Sequence, residues 1–265
     1  MTTWFSAARA IFDRIEATQS AAIERASQIC ADAIAADGLV HLFGTGHSRI
    51  PVEEMFPRYG SYPGFNPIVE LSMTYHTQVV GANGQRQAMF IERVPGLAEI
   101  ILQNFQFGPR DAMMVFSASG LPAVPVEMAR GARRRGLPVI AITSVAQSKA
   151  GTVRPEVGAR LLDEADVVID LCTPASDALC ALEGLDTPVG PSSTFAAVAV
   201  ANTIKVRTAQ LLIDRGAMTP VITSTTVVDE QRSRELFDAA YREHARRLAR
   251  VLSPDAGRQP LTGGV

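Results

Sequence analysis

Trp4, Ala8, Ile11, Ile15, Ala22 and Ile29 recur at helical spacing and lay one apolar stripe along residues 4–36. Asp37-Gly38 ends that helix. Leu39–Phe43 is then a short unbroken apolar run that stops at Gly44, the pattern of a strand buried on both faces. Ile50–Tyr59 reads as helix, bent or ended at Pro57. Phe65–Leu71 reads as a second strand, and residues 72–94 carry no clear period. Pro95–Phe107 has helical spacing and opens on Pro, which suits a first turn. Ala112–Phe116 is a strand, Val124–Arg135 a helix ended by Gly136, and Pro138–Thr143 a strand. The spacing predicts a helix over Glu156–Glu164 and a strand over Ala165–Leu171. Ser193–Asp214 is a long apolar helix, Val221–Ser224 a short strand, and Glu230–Leu252 a charged amphipathic helix. Residues 253–265 are expected to be a disordered tail.

Strands that alternate with helices, and are themselves almost wholly apolar, predict an α/β protein with a parallel sheet covered on both faces. The chain has 265 residues, 47% of them hydrophobic and 20% charged, so it can bury a large core. Its formal net charge of −2 argues against a nucleic-acid or membrane-surface partner, whose footprint is basic. It leaves room for one small anionic ligand. Only two of the 25 basic residues are lysines, Lys149 and Lys205. No run of 18 apolar residues and no secretory leader is present, so a cytoplasmic protein is expected. Cys30, Cys172 and Cys180 lack paired spacing and read as free thiols.

Ligands of a doubly wound sheet bind outside the carboxyl ends of its strands. Two such ends stand out here. Gly44-Thr-Gly-His-Ser48 precedes a helix, with Gly44 and Gly46 allowing close backbone approach and Ser48 offering a hydroxyl. Ser117-Ala-Ser-Gly120 also precedes a helix, and its hydroxyls and amides form an anion cradle. The plain alternative is that these serines are N-caps. Neither loop completes a dinucleotide or P-loop motif. Two hydroxyl-rich loops at neighbouring strand ends suit one phosphate monoester.

Strand–GTGHS–helix followed by strand–SASG–helix–RGLPVIAITS resembles the SIS (sugar isomerase) domain over roughly residues 35–225. GTGHSRIPVEEMFPRYG, HTQVVGANGQRQAMFIERVPG and VGPSST suggest a less characterised branch near the phosphoheptose isomerases. The resemblance implies a doubly wound, mostly parallel five-stranded sheet in flavodoxin-like order. The N-terminal helix fits the resemblance as an extension (1–38) ahead of the domain itself (39–252), and its long apolar stripe, more than one sheet edge needs, is expected to pack on a second copy. The resemblance places phosphate on Ser48, Ser117 and Ser119, with Ser144 as a further candidate after the next strand, beside Gly44, Gly46 and Gly120 read above from the loops themselves. One family hydroxyl is absent, since Gly120 is followed by Leu121-Pro122. Where phosphoheptose isomerases hold zinc, this chain has Glu54, Arg58, Ala197 and Lys205. No metal and no cofactor are therefore expected.

Aldose–ketose isomerisation needs a base beside the carbonyl carbon and a donor at its oxygen. Glu54 is the first candidate base, although with Arg58 four residues on it also reads as a helix-surface ion pair. His47 is a candidate donor, or a loop histidine bonded to backbone. Lys205 interrupts an apolar helix; it either snorkels to the surface or pairs with an acid such as Glu54, and is the third catalytic candidate. Glu92-Arg93 lines the pocket or caps a turn, and Ser192-Ser-Thr194 caps a helix or touches substrate. His76 is a further candidate, while His41 reads as structural and His244 as solvated. The expected function is metal-independent isomerisation of a phosphorylated sugar in a homodimer or homotetramer. The alternatives are a non-catalytic sugar-phosphate-binding regulator and a phosphosugar etherase or deaminase-type lyase.

Overall fold

The structure, a computed structural model, describes residues 3–74 and 84–252. The tail expected to be disordered and His76 lie outside the described residues. Helix α1 (Trp4–Ala35) opens on Thr3, whose hydroxyl accepts the Ser6 amide. It stops ahead of Asp37, which sits in the left-handed region at φ 69°. The chain then runs through β1 (Val40–Gly44), a 3-10 turn at Gly46–Arg49, α2 (Ile50–Met55), β2 (Phe65–Ile68) and α3 (Leu71–Thr74). Next come α4 (Gln85–Ile91), α5 (Leu97–Leu102), β3 (Ala112–Phe116), α6 (Ala123–Arg134), β4 (Val139–Thr143), α7 (Val145–Ala150) and β5 (Val167–Asp170). A small antiparallel pair, β6 (Ala178–Cys180) and β7 (Val189–Pro191), leads into α8 (Ser193–Asp214) and α9 (Glu230–Leu252).

The five long strands form one parallel sheet in the order β2-β1-β3-β4-β5, the doubly wound arrangement expected. Side chains of a strand alternate between faces, and here both faces are core. Val40, Leu42, Met114, Phe116, Ile140 and Ile142 face α1 and α8. Phe43, Met113, Val115, Val139 and Ala141 face α5 and α6. The apolar stripe of α1 is buried within the chain, where Ile11, Ile15, Ile23 and Ile34 join the first of these cores. His41 is wholly buried and takes Asn66 at 3.0 Å on Nδ1, with Asp111 3.5 Å from Nε2, in keeping with a structural role. Among the described residues no helix is long and apolar enough to cross a membrane.

Four local expectations differ. Residues 156–164 form turns and a 3-10 helix at Leu161–Glu164, because Gly158 adopts φ 72° and breaks the helix. Ile222 pairs with a loop: it accepts from Gly60 N–H and donates to Ser61, so its backbone is satisfied without a strand. The helix expected from Ile50 stops at Met55, where Phe56 is already extended at φ −169°. The helix expected over Pro95–Phe107 is reduced to Leu97–Leu102. The β6–β7 pair and the short helices α3 and α7 lack a pattern long enough to announce them.

Helix α9 docks on the amino end of the sheet through arginines. Arg247, 5% exposed, donates to the carbonyls of Ile34 and Gly38 at 2.9 and 2.8 Å and to Glu243 at 2.8 Å. Arg246 and Arg250 hold the Asp37 carboxylate. Cations thus cover the last carbonyls of α1, where the helix dipole is negative. Beside them the His244 ring lies 4.7 Å from Phe56, and its buried Nδ1 has no hydrogen-bond partner among the described residues.

Two outcomes follow from this clasp. Arg247→Ala strands two buried carbonyls and should destabilise the fold by about 2–4 kcal/mol in urea unfolding. Burial, and next the Arg247 charge, lower the His244 pKa. The unfolded chain therefore takes up that proton first, and the stability of this contact is lost as pH falls below about 6.5. His244→Phe should flatten the fall in melting temperature between pH 7 and 5; an unchanged slope assigns that loss elsewhere.

Candidate functional site

Because β1 and β3 are neighbours while the chain leaves them in opposite directions, their carboxyl ends open a crevice at the switch point of the sheet. A cavity of about 350 Å³ occupies it, large enough for a sugar phosphate. One wall is the turn after β1, with Thr45, Gly46, His47 and Ser48. A second is Ser117, Ala118 and Ser119 after β3, with Pro122 at the start of α6. A third is Ser193 and Thr194, which begin α8. Three helical amino ends converge, and each directs partial positive charge inward.

The backbone of these loops is fixed from behind. A side chain at Gly44 would run into the Ser48 carbonyl, so glycine is needed for the turn to close. Gly46 takes φ 54° at the cavity wall. Ser117 N–H donates to Ile142, and its hydroxyl accepts from Gly120 at 3.2 Å. The Ala118 carbonyl accepts from the Ser144 amide and the Thr143 hydroxyl. Gly120, at φ 60°, gives its carbonyl to the Leu161 amide. Helix α6 opens on Pro122 with no side-chain cap, and the 3-10 turn after β1 has none either. Ends of this kind hold anions with amides and hydroxyls alone.

Glu92 stands in the same cavity. Its carboxylate accepts the Thr45 hydroxyl at 2.5 Å, and its backbone carbonyl accepts the Val124 amide at 2.9 Å, which ties it to the first turn of α6. It is also the C-cap of α4, the negative end of a helix. Burial raises its pKa, against a smaller lowering by Thr45 and then Arg93. A desolvated carboxyl that faces a cavity is a natural proton-transfer group.

A second carboxylate, Asp177, meets the start of α8. Its Oδ1 accepts from the Ser192 and Ser193 amides at 3.1 and 2.7 Å and from the Ser192 hydroxyl at 2.9 Å, while Oδ2 accepts the Ser193 hydroxyl at 2.9 Å. Among the described residues, no arginine or lysine lines this cavity.

The candidates chosen from the sequence divide. Gly46, His47, Ser48, Ser117 and Ser119 line the cavity together. Gly44, Gly120 and Ser144 lie behind its walls and shape them. Ser144 is buried, donates to the Thr173 carbonyl at 3.0 Å and caps α7. Glu54 and Lys205 are not brought into the cavity. Glu54 lines a separate cleft of about 520 Å³ with Tyr59, Phe237 and Tyr241. Partial burial opposes its ionisation, yet hydrogen bonds from Asn202 and Arg58 outweigh this and hold its pKa below the usual value. Lys205 neither snorkels nor lines the cavity. It is 4% exposed, and its ammonium donates 2.9 Å to the Glu54 carbonyl, so it covers the carboxyl end of α2. Burial lowers its pKa, against the attraction of Glu54.

Thr45 and Asp177 carried no separate signal in the sequence. Thr45 sat inside the GTGHS turn, and Asp177 reaches its partners only through the β6–β7 pair. Glu92 was visible as an open choice and resolves into a pocket residue. Ser193 and Thr194, read as cap or contact, serve at the cavity wall. Among the described residues, no group of three or more His, Cys, Asp or Glu is placed to hold a metal ion.

The chain is 31% identical over 217 residues to a UPF0309 protein of Halalkalibacterium halodurans, covering 82% of this chain and 87% of that one. It is 34% identical to a UPF0309 protein of Brucella anthropi, covering 83% and 86%. The solved phosphoheptose isomerase of Neisseria gonorrhoeae superposes with a TM-score of 0.47 at 13% identity, over 78% of this chain and 95% of that one. The family model described as SIS domain matches residues 3–144, from α1 through the two cavity loops to the end of β4, and the chain belongs to the SIS domain family.

Proposed function

We propose that the chain binds a phosphorylated sugar in the cavity between β1 and β3 and isomerises it between aldose and ketose forms. The observation that carries this reading is one cavity with an uncapped helix end on one wall and the desolvated Glu92 carboxyl on another. Ser117, Ser119 and the amides before α6 take the phosphate. Glu92, as carboxylate, removes the proton from the carbon beside the carbonyl. The C–H electron pair becomes the enediolate double bond, and the carbonyl pair moves onto oxygen, where His47 and the Ser48 hydroxyl are at hand. The protonated Glu92 returns the proton to the former carbonyl carbon, while the hydroxyl proton of the adjacent carbon passes to the enediolate oxygen, so that the carbonyl re-forms one carbon along the chain. Glu54 is a poor base by comparison, because Arg58 and Asn202 already stabilise its charge.

A second reading is binding without conversion, as in a regulator. Leu121-Pro122 favours it, since the loop after Gly120 offers fewer hydroxyls to grip a turning-over ligand. For the assembly we propose a homodimer or homotetramer. Support comes from Val206 and Ile213, which are 69% and 56% exposed and lie two turns apart on α8.

Ser119→Ala should weaken hexose or pentose phosphate binding by about tenfold in calorimetry, the value of one hydrogen bond to a charged group. Glu92→Gln should keep that binding but lower turnover, and deuterium uptake at the carbon beside the carbonyl in D₂O, by about 10²–10⁴-fold. Binding with no exchange in the unaltered protein selects the regulatory reading. If catalysis occurs, kcat/KM should rise with pH through an inflection above about 4.3, the ordinary glutamate value. Thr45→Val removes a bond that favours the charged form and should move the inflection higher; a downward move assigns the limb to another group.

A further inference from the structure

Three helical amino ends face the cavity, yet they are treated differently. The 3-10 turn after β1 and α6 have no side-chain cap. Helix α8 begins with Ser192, a residue type able to cap it locally, but the Ser192 hydroxyl donates to the Asp177 carbonyl and carboxylate at 2.7 and 2.9 Å instead. A full negative charge from outside the helix takes that place. Asp177 does so at φ 59°, a left-handed conformation that only glycine adopts freely and that aspartate tolerates at some cost. A neutral cap would satisfy the same amides. The charge has a further effect: it cancels the attraction of α8 for any other anion.

We propose that Asp177 restricts the cavity to ligands with a single phosphoryl group and turns their hydroxyl-bearing end toward α8. This rests on the phosphosugar reading above. One phosphoryl group settles between the loop at Ser117 and the turn at Gly46, where the helix ends remain unbalanced. A second, across a cavity of about 350 Å³, meets Asp177 with no arginine or lysine among the described wall residues to offset it. Asp177 Oδ2 accepts one hydroxyl, from Ser193, and a carboxylate oxygen has room for another donor. A sugar hydroxyl satisfies it; a phosphate oxygen does not.

The test compares the unaltered protein with Asp177→Asn by calorimetry. Asparagine keeps the shape, an acceptor and the left-handed conformation but not the charge. The probes are inorganic phosphate, glucose 6-phosphate with glucose 1,6-bisphosphate, and fructose 6-phosphate with fructose 1,6-bisphosphate. The unaltered protein should bind a monophosphate at least about tenfold tighter than the matching bisphosphate, a ratio set by like-charge repulsion. Asp177→Asn should bring the two within about threefold, chiefly by gain at the bisphosphate, with inorganic phosphate changed by less than about twofold. Asp177→Ser serves the same comparison if the asparagine variant does not fold. Equal binding of mono- and bisphosphate by the unaltered protein, or a ratio that the variants leave intact, overturns the role of Asp177 alone. Failure of every monophosphate and of inorganic phosphate to bind overturns the phosphosugar reading, and this proposal with it.

Discussion

Pairing of β1 with β3 brings together two turns that are distant along the chain, and each turn starts a helix. In a parallel sheet every strand ends on the same edge, so the helices that follow present their amino ends to one crevice. Their partial charges add there. The site therefore gathers positive potential from backbone amides without an arginine or lysine among the described residues of its wall. A near-neutral, lysine-poor chain is consistent with such a site, because the charge that attracts an anion is not in its composition.

Against that field the protein sets two carboxyl groups in contrasting surroundings. Asp177 accepts from four donors at the positive end of α8. Glu92 is half-buried at the negative end of α4 with one hydroxyl donor, which does not compensate for lost water. Of the two, Glu92 is the one equipped to exchange a proton. The same logic separates Glu54 from Glu92, since Glu54 has Arg58 and Asn202 and sits in another cleft.

Much of the architecture was legible along the chain. The helix from Ser193 to Asp214 and that from Glu230 to Leu252 match residue for residue, because their periods run long and their ends are marked. Strands β1, β3 and β4 were plain as apolar runs between glycines and helices. The two cavity loops were legible too, as serines and glycines at strand ends. The Thr45–Glu92 bond was not, since it joins segments 47 residues apart that no local pattern relates. Glu54 illustrates the opposite case. Its i,i+4 spacing to Arg58 announced an ion pair, the structure makes that pair, and the sharper catalytic role drew on family resemblance. Lys205 read first as a snorkelling side chain and second as the partner of an acid; it is buried on a backbone carbonyl, a group that every residue carries and no sequence marks.

The arginine clasp on Asp37 has a practical corollary. It holds the last turns of α9 against the start of β1, at the amino edge of the sheet. Trp4, at the other end of the described chain, instead donates to the Pro191 carbonyl beside the cavity. The two ends of the fold thus stand at opposite poles. A dye or surface tether attached at the exposed Leu252 starts from the pole away from the cavity mouth, whereas bulk added at Trp4 stands over its rim.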